Sequence, residues 1–250
     1  MDRQKEVGAL LLLAALVMAS PSRAQGDDFG LWVSAGAEKK IDKKWSVGLE
    51  GEFRTRDNVS SVDRWSVGLD GEYKVADWLK ASAGYTLLYD NVEKTTYNSD
   101  GSENNYYPSY WRLRHRFNVS LTGKVKIGDV GISLRERWQY TYRPELTTER
   151  YDYDNSQWED KTIKGKGKNV LRSKLKVEYN IPKVKVTPYA DVELFNAWSL
   201  EKTRYTVGAD CKLKKMHTVG LFYRYQDVNG DDEDNDGNSH ILGVEYKYKF

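Results

Sequence analysis

Apolar and polar residues alternate with a period of two along almost the whole chain, in segments longer than a globular strand. At the C-terminus Leu242, Val244, Tyr246, Tyr248 and Phe250 alternate with Gly243, Glu245, Lys247 and Lys249. Upstream, Val219, Leu221, Tyr223 and Tyr225 alternate with Gly220, Phe222, Arg224 and Gln226. Successive side chains of a strand point to opposite faces, so each segment carries one apolar face and one polar face. The pattern predicts strands near 239–250, 217–227, 202–215, 184–196, 169–180, 130–142, 110–125, 79–90, 62–75, 45–56 and 31–41. Globular strands peak at about 5–6 residues, whereas a tilted strand needs about 9–11 to cross a membrane. These segments have the second length.

The connections alternate as well. Tight turns fall at 42–44, 75–78, 127–129, 181–183 and 215–216. Longer polar stretches at 57–61, 91–109, 143–168, 197–201 and 228–238 lie between them. Short turns at one end and long loops at the other are the layout of an outer-membrane barrel. Trp45, Tyr73, Trp78, Tyr179 and Tyr248 cluster near the short turns, and Trp65, Trp111, Trp138, Tyr140, Tyr142, Tyr205 and Tyr225 near the loops. Two bands of amphipathic rings suit two membrane interfaces. The expected fold is all-β, a transmembrane antiparallel β-barrel of 10–12 strands. Eleven segments conflict with the even strand number of single-chain bacterial barrels. Either 31–41 is not a stave, leaving ten, or a further short stave makes twelve. Pro188 removes a ladder donor and predicts a bulge. Glu136, on the lipid face between Leu134 and Trp138, calls for a bulge or an interfacial position.

Composition narrows the class. The 39 Lys and Arg against 37 Asp and Glu leave a net charge of +2, which requires no polyanionic partner and predicts no nucleic-acid binding. Eight Trp and 18 Tyr are too many for a disordered chain. One Cys excludes disulfide-stapled and Cys-ligated zinc architectures. Arg3 and Lys5 precede an apolar run from Val7 to Met18, followed by Ser22-Arg23-Ala24, which is the pattern of a cleaved secretory leader over 1–24. The barrel domain is then 25–250. Cleavage removes three basic and two acidic residues, so 36 against 35 leaves +1.

Phe29-Gly30-Leu31-Trp32, the Lys43-Lys44-Trp45 turn, Tyr110-Trp111-Arg112 through His115-Arg116-Phe117, and Arg135 to Tyr140 make a pattern. In it the chain resembles a family of Gram-negative outer-membrane barrels classed as a domain of unknown function. The resemblance extends through Gly165 to Leu171, Tyr189 with Asn196-Ala197-Trp198, and Tyr223 to Asp227. It covers nearly all of the mature chain and implies an outer-membrane barrel. It brings no established activity and no catalytic residues. The terminal Phe250 resembles the signal read by the barrel assembly machinery, so that machinery and outer-membrane lipids are the expected partners.

Function should reside on the inner face. Three consecutive staves have a basic inner face: Arg112, Arg114 and Arg116; then Arg135, Arg137 and Arg143; then Arg172, Lys174 and Lys176. Elsewhere Glu38, Glu50, Glu52, Asp70, Glu72, Asp191, Glu193, Asp210 and Glu245 make an acidic wall. Tight-hairpin register would place Arg172 near Asp191 and Lys176 near Thr187. Two readings stand. In one, the arginine ladder guides small anionic or sugar solutes through a water-filled lumen, since guanidinium stays charged and binds carboxylate or phosphate bidentately. In the other, the charges pair and fill a narrow barrel, which then has a structural or surface-interaction role.

An outer-membrane lipid-modifying enzyme is the weaker third reading, and the expectation is no enzyme. A hydrolase needs a nucleophile and a base within reach, and only three histidines exist. His115 faces lipid, His217 lies at a short turn, and His240 points away from its neighbour Ser239. Asp232, Asp234, Asp236 and Gly237 match the first half of a calcium loop. The twelfth position is Gly243 instead of a bidentate Glu, which excludes an EF-hand. Weak calcium binding by Asp232, Asp234 and Asp236 is the sole cofactor expectation.

Overall fold

The computed structural model describes residues 27–229 and 237–250. The leader read over 1–24 and the triad Asp232, Asp234 and Asp236 lie outside the described residues. Among the described residues every regular element is a strand. In chain order they are β1 (Asp28–Lys40), β2 (Trp45–Arg56), β3 (Ser61–Ala76), β4 (Leu79–Tyr97), β5 (Glu103–Ile127) and β6 (Val130–Arg143). A short pair, β7 (Leu146–Asp152) and β8 (Gln157–Ile163), precedes β9 (Lys166–Tyr179) and β10 (Val186–Asn196). The last three are β11 (Leu200–Lys214), β12 (His217–Val228) and β13 (Ser239–Lys249).

Eleven of these strands close into one barrel. Neighbours pair antiparallel from β1 through β6, β6 pairs β9, and the meander continues to β13. The ring closes between β13 and β1, and that ladder is parallel, with Leu31 opposite Leu242 and Val33 opposite Val244. An odd number of staves in a meander leaves the first and last running the same way. A parallel ladder satisfies backbone groups nearly as well as an antiparallel one, so closure still removes both sheet edges. This corrects the parity expectation: the 31–41 segment is a stave, no twelfth is needed, and the even-number rule does not hold here.

The alternation works as expected on the outside. Val47, Leu49, Val67, Leu69, Leu121 and Leu134 are exposed on the outer face, where lipid would cover them. Trp45 and Trp78 at the short-turn end, and Trp65 and Trp138 toward the loop end, are exposed too. Neighbouring rings pair across strands: Trp45 with Tyr73 at 4.7 Å and Tyr89 with Trp111 at 4.8 Å between centroids.

Neither of the two expected bulges forms. Pro188 sits in unbroken register opposite Ala209, and the irregularity falls at Phe195/Asn196 instead. The β9 ladder begins only at Tyr189, so the missing N–H of Pro188 interrupts no pairing on that side. Glu136 lies in regular register between Leu121 and Ser173, and it accepts a hydrogen bond from Ser173 Oγ at 2.6 Å in place of a bulge.

At the loop end β4 and β5 extend beyond the barrel, pairing Thr95 with Tyr106. The β7–β8 hairpin docks on this extension through Asn105–Asp152 and Tyr106–Tyr151. The β2–β3 turn folds toward the start of β1. Its residues Asp57, Asn58 and Val59 all have positive φ, and the Asp28 carboxylate accepts the N–H groups of Asp57 and Asn58 at 3.0 and 2.8 Å.

Candidate functional site in the barrel interior

Because side chains alternate, one face of each stave fills the interior, and there the residues are charged, aromatic and tightly packed. Arg64, Arg114 and Lys202 are at most 2% exposed. Asp90 on β4 is clamped by Arg64 Nε and Arg114 Nε, one on each flanking strand. On the far wall Glu193, 3% exposed, accepts from Arg135 Nη2 at 2.5 Å and Arg172 Nη2 at 2.9 Å. Lys174 meets Asp191 at 3.0 Å, and Lys176 approaches Asp210 at 3.9 Å. The pairing of Arg172 with Asp191 is therefore wrong by four residues: Asp191 lies opposite Lys176, and Arg172 lies opposite Phe195. A tight hairpin is not what joins β9 to β10. The link runs from Asn180 to Lys185, includes Lys183 at φ 65°, and shifts the register.

The interior also holds aromatics that alternation alone does not mark as important. Trp32, Phe222 and Ile241 are buried together inside the barrel, with Tyr189 against them. Arg54 stacks on the Trp32 ring at 3.6 Å, and Arg204 and Arg224 approach it at 5.0 and 5.1 Å. Phe195 faces Arg172 at 4.5 Å and Arg204 at 4.7 Å. The π-faces thus take part of the role that carboxylates would otherwise fill. Arg204 Nε donates to the neutral Gln226 Oε1 at 2.8 Å, and Arg224 Nε to Thr206 Oγ1 at 3.0 Å.

Two of the spaces in this interior adjoin one another. At the loop end a vestibule of about 630 Å³ is bounded by Asp28, Asp57, Asp63, Asp90 and Glu93, with Trp32, Arg54 and Arg64 among its other walls. Arg54 and Arg64 also line a second, smaller chamber of about 50 Å³. Its other walls are Arg116, Gln139, Val170, Arg172, Phe195, Glu201, Lys202 and Arg204. Six of its lining side chains are cationic and one, Glu201, is anionic; Glu201 accepts from Lys168 at 2.5 Å. Toward the short turns, Glu50 and Asp70 lie exposed on the inner face of β2 and β3.

The expected site residues are distributed as follows. Arg116 and Arg172 line the chamber. Arg114 holds Asp90, and Arg112 is buried beside it, opposite Asp90 in register. Arg135 is spent on Glu193, while Arg137 donates to Ser120 Oγ at 2.9 Å. Arg143 lies at the loop end of β6, opposite Lys166. Of the acidic wall, Glu52 pairs with Arg54 at 2.7 Å, and Glu72 pairs with Lys80 at 2.6 Å. Arg54, Arg64, Asp90, Lys202 and Arg204 belong to the network and were not in the sequence-derived ladder. They stand on inward positions of their strands, so parity was the available signal.

The three histidines are each tied to a tyrosine hydroxyl through Nδ1: His115 to Tyr85 at 2.8 Å, His217 to Tyr246 at 2.7 Å, and His240 to Tyr223 at 2.6 Å. Among the described residues no cluster of three or more His, Cys, Asp or Glu is placed to hold a metal ion.

The model of a protein family of unknown function, DUF2490, matches residues 29–237. The chain belongs to the DUF2490 family. No curated protein matches it. Among solved structures, this DUF2490 barrel is similar to the translocator domain of the autotransporter NalP from Neisseria meningitidis. The two are 11% identical with a TM-score of 0.56, covering 90% of this chain and 92% of that one. The β domain of the Bordetella autotransporter BrkA gives 13% identity, a TM-score of 0.49, and coverage of 81% and 79%. The NanC porin gives 15% identity, a TM-score of 0.45, and coverage of 86% and 95%. The fold is that of outer-membrane β-barrels.

Proposed function

We propose that this DUF2490 protein is a narrow outer-membrane conduit for small anionic solutes, entered from the loop end. The observation that carries the reading is the shared wall: Arg54 and Arg64 line both the vestibule and the six-cation chamber beneath it. A solute in the vestibule therefore meets guanidinium groups at its floor. Charges of one sign in a low-dielectric cavity concentrate counter-ions. The mature barrel sits in the outer membrane with its exposed apolar band in lipid, is delivered there after loss of residues 1–24, and is inserted by the barrel assembly machinery through its C-terminal strand. The reading needs no resident cofactor and no catalytic step.

The second reading, a closed barrel with a structural or surface role, is favoured by one specific observation. The chamber between Arg64, which clamps Asp90, and Arg172, which holds Glu193, is only about 50 Å³. Planar-bilayer recording of refolded protein separates the two. A conduit gives steady conductance with anion preference at low salt, fading as the Debye length falls from ~30 Å at 0.01 M to ~3 Å at 1 M. Replacing Arg116 and Arg204 together with Gln should move the reversal potential toward cations. Absence of conductance, or selectivity indifferent to both arginines, refutes the conduit.

A further inference from the structure

One polar pair stands in the apolar band of the outer face. Glu136 lies near the middle of β6, with six strand residues before it and seven after, and Ser173 is its register partner near the middle of β9. Exposed apolar side chains surround the two: Leu134 and Trp138 along β6, Leu171 and Leu175 along β9, and Leu121 opposite Glu136 on β5. Ser173 Oγ donates to the Glu136 carboxylate at 2.6 Å, and among the described residues no cation pairs with that carboxylate. A carboxylate offers about four acceptor sites, so most of its capacity is unused. Lipid tails supply no hydrogen bonds, and ionisable side chains at membrane depth pair with other polar groups.

We infer that the outer face of β5, β6 and β9 is a dimer interface between two copies of this chain, with Glu136 and Ser173 at the two-fold axis. The pair is self-complementary. A two-fold axis along the membrane normal returns every residue to its own depth, and the interface it makes uses the same patch twice. With the axis between Glu136 and Ser173, each glutamate faces the serine of the other copy. A protonated carboxyl both donates and accepts, and so does a hydroxyl. Each Glu136 donates to the serine opposite while each Ser173 keeps its bond within its own chain, which closes a ring of four hydrogen bonds. Shape agrees with this. Gly123 on β5, opposite Leu134, has open space where a side chain would stand, and Ser173 is small as well. Small residues let membrane-embedded surfaces approach closely. An unrelated protein would have to bring a matching donor and acceptor at this depth, whereas a second copy brings them by symmetry. The interface lies outside the barrel, so it goes beyond the conduit reading and does not depend on it.

Sedimentation equilibrium of the refolded full-length barrel in density-matched detergent measures the association directly. A monomer–dimer equilibrium is expected. Glu136→Leu and Ser173→Ala should each weaken it at least tenfold, whereas Glu136→Gln, whose amide both donates and accepts, should retain it. Gly123→Leu fills the notch without touching the polar pair and should weaken it too. Heat-modifiable gel migration shows whether each variant closes, and Glu136→Leu, an apolar replacement on the lipid face, should close as the wild type does. A wild type that stays monomeric, in micelles and in cross-linked vesicles alike, overturns the proposal. So does a dimer indifferent to both Glu136→Leu and Gly123→Leu. A chain that is monomeric when pure yet migrates in a larger complex from membrane extracts assigns the face to another protein, and overturns it as well.

Discussion

Glu193→Gln is the most informative single change in the interior. The carboxylate lies at 3% exposure and compensates two guanidinium groups, Arg135 at 2.5 Å and Arg172 at 2.9 Å. Glutamine keeps the shape and one acceptor oxygen but removes the charge. Breaking a buried pair by neutralising one partner costs about 3–5 kcal/mol, because the other charge stays buried. Here the lower end applies: Arg172 retains Gln139 Oε1 at 2.9 Å and the face of Phe195, and Arg135 is partly exposed. A loss of about 3 kcal/mol corresponds to roughly 6–12 °C in melting temperature for a chain of this size. Urea unfolding from lipid vesicles, followed by tryptophan fluorescence, measures it. The comparison variant is Glu72→Gln, whose partner Lys80 is half exposed and whose loss should cost under ~1 kcal/mol. If the two variants lose equal stability, the central network is solvated and the packing argument fails.

Other perturbations probe the seam, the turns and the loop. Gly243→Ala puts a methyl group into the Phe222 ring beside the β13–β1 ladder, so it should cost about 1–3 kcal/mol and be relieved by Phe222→Leu; heat-modifiable gel migration reads out closure. The backbone N–H groups of Lys44 and Trp45 hold the Asp42 carboxyl below its ordinary 3.8, and Ser102 does the same for Asp100. A depressed folded pKa contributes stability that is present above 3.8 and lost as pH falls through the folded value; loop-end proteolysis and hydrogen exchange at the β1–β2 turn should therefore rise only below pH 3.8, and Asp42→Asn should abolish that dependence. Replacing Asp232, Asp234 and Asp236 with Asn should abolish any calcium-dependent rise in melting temperature, and an unmodified protein indifferent to calcium refutes chelation by that loop. In cell fractionation the mature chain should partition with the outer membrane; native protein in the soluble periplasmic fraction refutes the location.

Alternation by itself determined the fold class, because a period of two has only one reading in lipid: apolar outward, polar inward, closed so that no backbone group is left unpaired. It also identified the inner faces of β5, β6 and β9, since parity along a strand is a local property. The stave count was legible too, and only the parity rule argued against it. What alternation does not encode is which inner residues meet. Pairing Asp191 with Lys176 instead of Arg172 depended on the length and left-handed kink of the 180–185 link, a four-residue shift invisible to a pattern that repeats every two. The chamber is one step further removed. Arg54, Arg64, Arg116, Arg172, Lys202 and Arg204 come from β2, β3, β5, β9 and β11, and nothing in their sequence spacing brings them together. Closure through a parallel β13–β1 ladder does, because bending the sheet into an eleven-stave ring turns positions far apart in sequence into facing walls of one narrow space.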